Sequence, residues 1–143
     1  MDIYTNIHAK AYFNLLATGS WVEEQIKKAL KPFDLTHAQL NVLYVLFEND
    51  PNPVSPSDIK PRILVSNPDV TRLLDRLVKK EIINRNTCSE NRRKIDITLT
   101  ERGKALFVEA HESARMAVND FFQQKISEEE ATELRRILHK IRE

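Results

Sequence analysis

Glycine is nearly missing from this chain. Gly19 and Gly103 are the only two in 143 residues, so there is no glycine-rich loop to cradle a phosphate between a strand and a helix. The single cysteine, Cys88, cannot close an intramolecular disulfide, which fits a reducing cytosol. Among the four histidines, His8, His37, His111 and His139, no pair lies three to five residues apart, and no second cysteine completes a zinc spacing. No Ser-His-acid or Cys-His pattern marks an activated nucleophile. No apolar run approaches membrane-spanning length, and the opening MDIYTNIHAKAYF scatters charge and polarity in a way a signal peptide does not. The expectation is a cytoplasmic chain that is not an enzyme and carries no cofactor or metal.

What is present is ordinary in bulk. Hydrophobic residues make up 41% and charged residues 30%, and the net charge is +1, the profile of a soluble globular chain of one domain, or one with helical extensions. So small a net charge argues against coating nucleic acid with the whole surface. Any such site must be a local patch.

The N-terminal part, from about Thr5 to Lys31, repeats apolar residues at three- and four-residue steps (Tyr12, Leu15, Leu16, Val22, Ile26, Leu30), which predicts one long helix ended by Pro32. Thr36 with Gln39 has the spacing of a reciprocal capping box. The helix it opens runs through Leu40 and Val42 to Phe47 with almost no polar face, so it is expected at the buried centre. A proline-rich turn over 49–53 leads to a short helix capped by Ser55 or Ser57, which Pro61 keeps brief. Its Ile59 and Ile63 should pack against the next helix.

The stretch SNPDVTRLLDRLVKKEIINRNTCSENRRKIDITLT, 66–100, carries the most information. Val70, Leu73, Leu74, Leu77 and Val78 gather on one helical face, and Thr71, Arg72, Asp75, Arg76 and Lys79 lie on the other. Ser66 and Asn67 are good caps, Pro68 suits a first turn, and Asp69 completes a Ser-x-x-acid pattern. After Ile83 the period becomes two. Ile95, Ile97 and Leu99 alternate with polar residues, 82–86 can supply a partner strand, and a polar turn between them puts Arg92 and Arg93 near a hairpin tip. Over 66–94 eight basic residues face four acidic ones, a local charge of +4. A polar helix face beside a basic hairpin suits the major groove of DNA and the negative potential of the adjacent minor groove. The bland alternative is a solvated face neutralised by Asp69 and Asp75.

Thr100 then caps a long helix running to about Lys125, with a stripe from Leu106 and Phe107 to Phe121 and Phe122. Ser127 and Glu130 form a second capping box, opening a last helix with Leu134, Ile137, Leu138 and Ile141 on one side. Apolar stripes at both chain ends need a cover, and a twofold dimer would supply it. The fold expected from the residues is mainly α: short helices and a two-stranded β ribbon over 35–100, flanked by helices over 1–34 and 101–143.

The runs VTRLLDRLVKKEIINRN and NRRKIDITLTERGKAL resemble the winged helix-turn-helix of the MarR family of bacterial transcription regulators, in register over roughly residues 35–107. The resemblance implies a winged helix-turn-helix over 35–100 with a two-stranded β wing, flanked by dimerisation helices over 1–34 and 101–143, in a homodimeric regulator, repressor or activator, that binds a pseudo-palindromic operator in double-stranded DNA. On that basis Ser66, Asn67, Pro68, Asp69, Thr71, Arg72 and Arg76 form the groove-facing set. Lys79, Arg85, Arg92 and Arg93 reach phosphates or the minor groove. It also implies a small amphipathic or aromatic effector in a cavity between the dimer and DNA-binding parts, for which Tyr12, Phe13, Trp21, Tyr44 and Phe47 are candidates; equally, these five are core. The chain departs from the family at Asn91, where an aspartate is usual, and at Glu81 and Leu64, where glycine is frequent. Cys88 is either a thiol sensor or incidental. The competing class is a winged-helix module that binds protein rather than DNA.

Overall fold

The computed structural model describes residues 6–64 and 68–143. Asn6 caps the first helix, α1 (Ile7–Leu30), by accepting the His8 N–H. The helix runs uninterrupted through Gly19 and gives way, as Pro32 requires, to a 3₁₀ turn over Lys31–Phe33. The Thr36–Gln39 capping box is complete, both bonds 3.1 Å, and opens α2 (His37–Asn49). Leu40, Val42, Leu43, Val45 and Leu46 of α2 are buried. Tyr44 and Phe47 depart from the expectation of an all-buried helix: they are 40% and 41% exposed and turn their rings toward Phe107.

Ser55 caps the third helix, α3 (Pro56–Ile59), accepting the Asp58 N–H while its hydroxyl donates to the Asp58 carboxylate. Pro61 limits α3 to one turn; the chain tightens into a 3₁₀ segment, Lys60–Arg62, whose first turn tolerates the missing N–H. Ile59 and Ile63 are buried as expected.

The recognition helix, α4 (Val70–Lys79), starts later than the residue types imply. Asp69 is its cap, its Oδ1 accepting the Arg72 N–H at 3.1 Å. Pro68 therefore precedes the helix instead of occupying its first turn. An aspartate reaches the third N–H of a helix as readily as a serine does, so a Ser-Asn-Pro-Asp run offers more than one start. Ser66 and Asn67 lie outside the described residues. Val70, Leu74 and Leu77 are buried, and Leu73 and Val78 pack against the same core.

Strands β1 (Ile83–Thr87) and β2 (Ile95–Leu99) pair antiparallel, Ile83 opposite Leu99 and Thr87 opposite Ile95, one residue beyond the expected partner. Val54 adds a bridge to Ile97 through two backbone bonds, 3.0 and 2.9 Å, so the ribbon is anchored on the turn before α3. Ile97 and Leu99 are buried, whereas Ile95 is exposed because the ribbon has left the core there. Thr100 caps α5 (Glu101–Lys125), and the Ser127–Glu130 box caps α6 (Glu128–Arg142). One hydrophobic cluster joins Leu30 of α1, the winged segment, and Phe107, Ala110 and Ala114 of α5. It ends there: the second half of α5 is at most half-buried, and α6 has no buried residue. Among the described residues no helix is long and apolar enough to cross a membrane.

The wing is tied off at one junction. After α4 the chain reverses at Glu81, in the left-handed region at φ 59°. The Ile82 carbonyl accepts the Thr100 N–H at 3.0 Å. The Thr100 hydroxyl lies 2.8 and 3.0 Å from the Glu81 and Ile82 carbonyl oxygens and accepts the Gly103 N–H at 2.9 Å. A Cβ on Gly103 would sit 2.0 Å from the Ile82 oxygen. Gly103→Ala should therefore lower the unfolding free energy by about 2 kcal/mol in urea denaturation, because backbone must move. Glu81→Gly should raise it by roughly 0.5 to 1 kcal/mol, since only glycine adopts that conformation without a steric cost. The exposed Arg102–Glu81 pair it removes, 3.9 Å apart, contributes little.

Candidate nucleic-acid interface

The surface opposite the buried stripe of α4 is cationic and uncompensated. Thr71, Arg72, Arg76 and Lys79 are exposed on consecutive turns. The two acids that would neutralise this face are engaged elsewhere. Asp69 caps the helix. Asp75 accepts the Arg85 guanidinium at 2.5 Å. Among the described residues no carboxylate pairs with Arg72, Arg76 or Lys79. Two arginines four residues apart repel by a few tenths of a kcal/mol, and no ion pair among the described residues offsets this.

Arg85 has a different setting from the one expected. Projecting from β1, it joins the wing to the recognition helix through Asp75, so its charge is shared and its geometry is fixed. The wing tip is built by backbone bonds: the Cys88 N–H donates to the Lys94 carbonyl, and the Lys94 N–H to that of Asn91, both at 2.9 Å. Asn91 Oδ1 accepts the Arg93 backbone N–H at 3.1 Å, so this asparagine shapes the turn through the main chain. Arg92 and Arg93 are exposed, and neither has a carboxylate partner among the described residues. Cys88 sits half-buried where β1 leads into this tip. Among the described residues no three His, Cys, Asp or Glu side chains gather as metal ligands would.

The five aromatics proposed for one effector cavity do not converge. Tyr12 and Phe13 pack on each other, 4.7 Å between centroids, on the exposed part of α1. Trp21 packs on Phe121 at 4.5 Å. Phe47 lies against Phe107 at 4.7 Å. Helical steps alone do not say which turns of two long helices face each other. Tyr44 alone of the five lines a cavity of about 950 Å³ between α2, α5 and the start of α6, stacked on His111 and joined there by Asn41, Leu64 and Arg115. The Glu48 carboxylate, one turn along α2, raises the Tyr44 phenol above its ordinary value. Glu48 is itself held below the usual carboxylate range, first by Arg62 and then by Tyr44. The polar lining residues had one signal in the sequence: Asn41 interrupts the apolar run of α2, and His111 and Arg115 stand one helical turn apart.

A profile of the MarR family matches residues 35–95. The transcriptional regulator PecS of Dickeya dadantii is 30% identical over 125 residues, which cover 84% of this chain and 72% of PecS. AbsC, a MarR family transcriptional regulator from Streptomyces coelicolor, superposes with a TM-score of 0.86 at 24% identity, covering 96% of this chain and 93% of AbsC. The transcriptional repressor CouR, solved bound to a 23-mer DNA duplex, superposes at 0.81 with 22% identity, covering 92% and 91%. The shared winged helix, the PecS identity and the profile match over the recognition helix and wing lead to one assignment: this chain belongs to the MarR family of transcriptional regulators.

Proposed function

We propose that two copies of this chain bind a pseudo-palindromic operator in double-stranded DNA, with half-sites about one helical turn apart. The observation that carries this reading is the α4 face: Arg72, Arg76 and Lys79 are exposed with no carboxylate partner among the described residues, while Asp75 is occupied by Arg85. Cations left unpaired in this way fit a polyanion. Pro68, Asp69, Thr71, Arg72 and Arg76 face bases, together with Ser66 and Asn67. Lys79, Arg92 and Arg93 neutralise phosphates or enter the minor groove, and Arg85 orients the wing that carries the last two.

The dimer rests on what the single chain leaves bare. Tyr12, Phe13, Leu15 and Leu16 of α1, and Leu134, Ile137 and Ile141 of α6, are 40% exposed or more. In this reading residues 1–34 and 101–143 cover one another across a twofold axis, and 35–100 binds DNA in the cytoplasm. A small amphipathic ligand in the cavity beside Tyr44 weakens operator binding by changing the spacing of the two recognition helices. Linkage then requires the operator to weaken ligand binding by the same factor.

Arg72→Ala should cost roughly 1 to 3 kcal/mol on an operator selected from random sequence and less on scrambled DNA, read by fluorescence anisotropy. Equal losses on both would make Arg72 a phosphate contact only. Arg93→Ala should weaken both and reduce the log-log salt slope by about one. Ile137→Asp should shift the protein from dimer to monomer in sedimentation equilibrium, and an unchanged dimer would place the interface elsewhere.

A further inference from the structure

Asn41 on the wall of the Tyr44 cavity, and Glu48 two turns further along α2, hold residues 62–64, which precede the recognition helix. Asn41 lines the cavity, and its Oδ1 accepts the Leu64 backbone N–H at 3.0 Å across 23 residues of sequence. Glu48, one helical turn beyond Tyr44 on α2, accepts the Arg62 guanidinium at 2.5 Å. Arg62 and Leu64 stand shortly before the Asp69 cap. Leu64 has little apolar anchoring of its own, its side chain being 76% exposed. Ile63 between them is buried, but one side chain fixes a position and leaves rotation about the chain free. The two polar contacts supply what apolar packing does not: a fixed orientation for residues 62–64 against α2.

We propose that Asn41 and Glu48 are positioning residues for the recognition helix, holding 62–64 against α2 so that the groove-facing end of α4 is preset. Neither touches DNA. Both act through main chain or through Arg62. The cavity and the DNA-reading helix then share the Asn41 contact, because a molecule against Asn41 competes with a bond that orients α4. The inference rests on the DNA-binding reading for its consequence, but the contact itself is testable without DNA.

The test uses Asn41→Leu, which removes the acceptor, and Asn41→Asp, which keeps an acceptor; leucine preserves the branched shape of asparagine but is bulkier. Hydrogen exchange followed by mass spectrometry reads the 62–72 peptide, and anisotropy reads the duplex that the wild-type protein selects from random sequence. Asn41→Leu should speed exchange in that peptide and weaken the selected duplex by about five- to tenfold, the effect of one lost hydrogen bond. Scrambled DNA and the melting temperature should hardly change. Asn41→Asp should restore both exchange and affinity, as should charge reversal of the second contact, Glu48→Arg with Arg62→Glu, relative to either single variant. Unchanged exchange in Asn41→Leu overturns the inference whatever DNA does. Faster exchange with unchanged affinity for the selected duplex also overturns it, while leaving the DNA-binding reading intact. If the wild-type protein selects no duplex, the DNA-binding reading fails, and the positioning role falls with it.

Discussion

Burial of Leu74 and Leu77 is the interaction on which the rest of this molecule depends. Both are almost fully enclosed, within one cluster with Leu43 and Leu46 of α2, Ile59 of α3 and Ile97 of the wing. Removing two leucine side chains from water contributes roughly 3 to 6 kcal/mol. The repulsion between Arg72 and Arg76 costs only a few tenths of a kcal/mol. Leucine burial therefore decides the rotation of α4 about its axis, and the arginines point outward as a consequence. A charged face that would be mildly unfavourable in an isolated peptide is held in place by the face behind it.

The wing is fixed by polar contacts in addition to the burial of Ile83, Ile97 and Leu99. Its base depends on the Ile82 carbonyl, approached by Thr100 and by α5 so closely that only glycine fits at position 103. Its inclination depends on Arg85 reaching Asp75 from β1 to α4, and its attachment on the Val54–Ile97 bridge. These contacts tie the ribbon to the recognition helix and to the turn before α3. Helix and wing consequently form one surface with a single geometry, which a groove-spanning interface requires. Asp75 is used twice over in this arrangement: it orients Arg85, and in doing so it leaves Arg72 and Arg76 without a neutralising neighbour.

Most of the fold is legible in the sequence because its signals are local. Both capping boxes, Thr36–Gln39 and Ser127–Glu130, form as their spacing predicts, and the change of period after Ile83 locates the wing to within one residue. The start of α4 is ambiguous because several residues before it can cap, and Asp69 prevails. Arg85 and Asp75, ten residues apart on different elements, carry no periodic signal that would pair them. The same holds for Asn41 and Leu64, 23 residues apart. The aromatics do not behave as a group for a related reason: residue type predicts burial or a cavity wall equally well, and only the tertiary fold puts Tyr44 and Trp21 on different cavities and Tyr12 on neither. Glycine is the most informative scarce residue. Gly103 meets a steric demand, whereas Glu81 occupies a position where the backbone favours glycine and the chain does without it.

If the exposed cations of α4 and the wing dock on DNA phosphates around a sequence-specific contact, binding must depend on both salt and sequence. The most direct measurement is the salt dependence of anisotropy for the wild-type protein on its selected duplex and on a scrambled duplex of equal composition. Tight binding to the selected duplex alone is the predicted result, with a log-log slope near −0.9 for each phosphate neutralised, several units in all for a dimer. A slope close to zero, or equal weak binding to both duplexes, would contradict DNA docking and favour a winged helix that binds another protein.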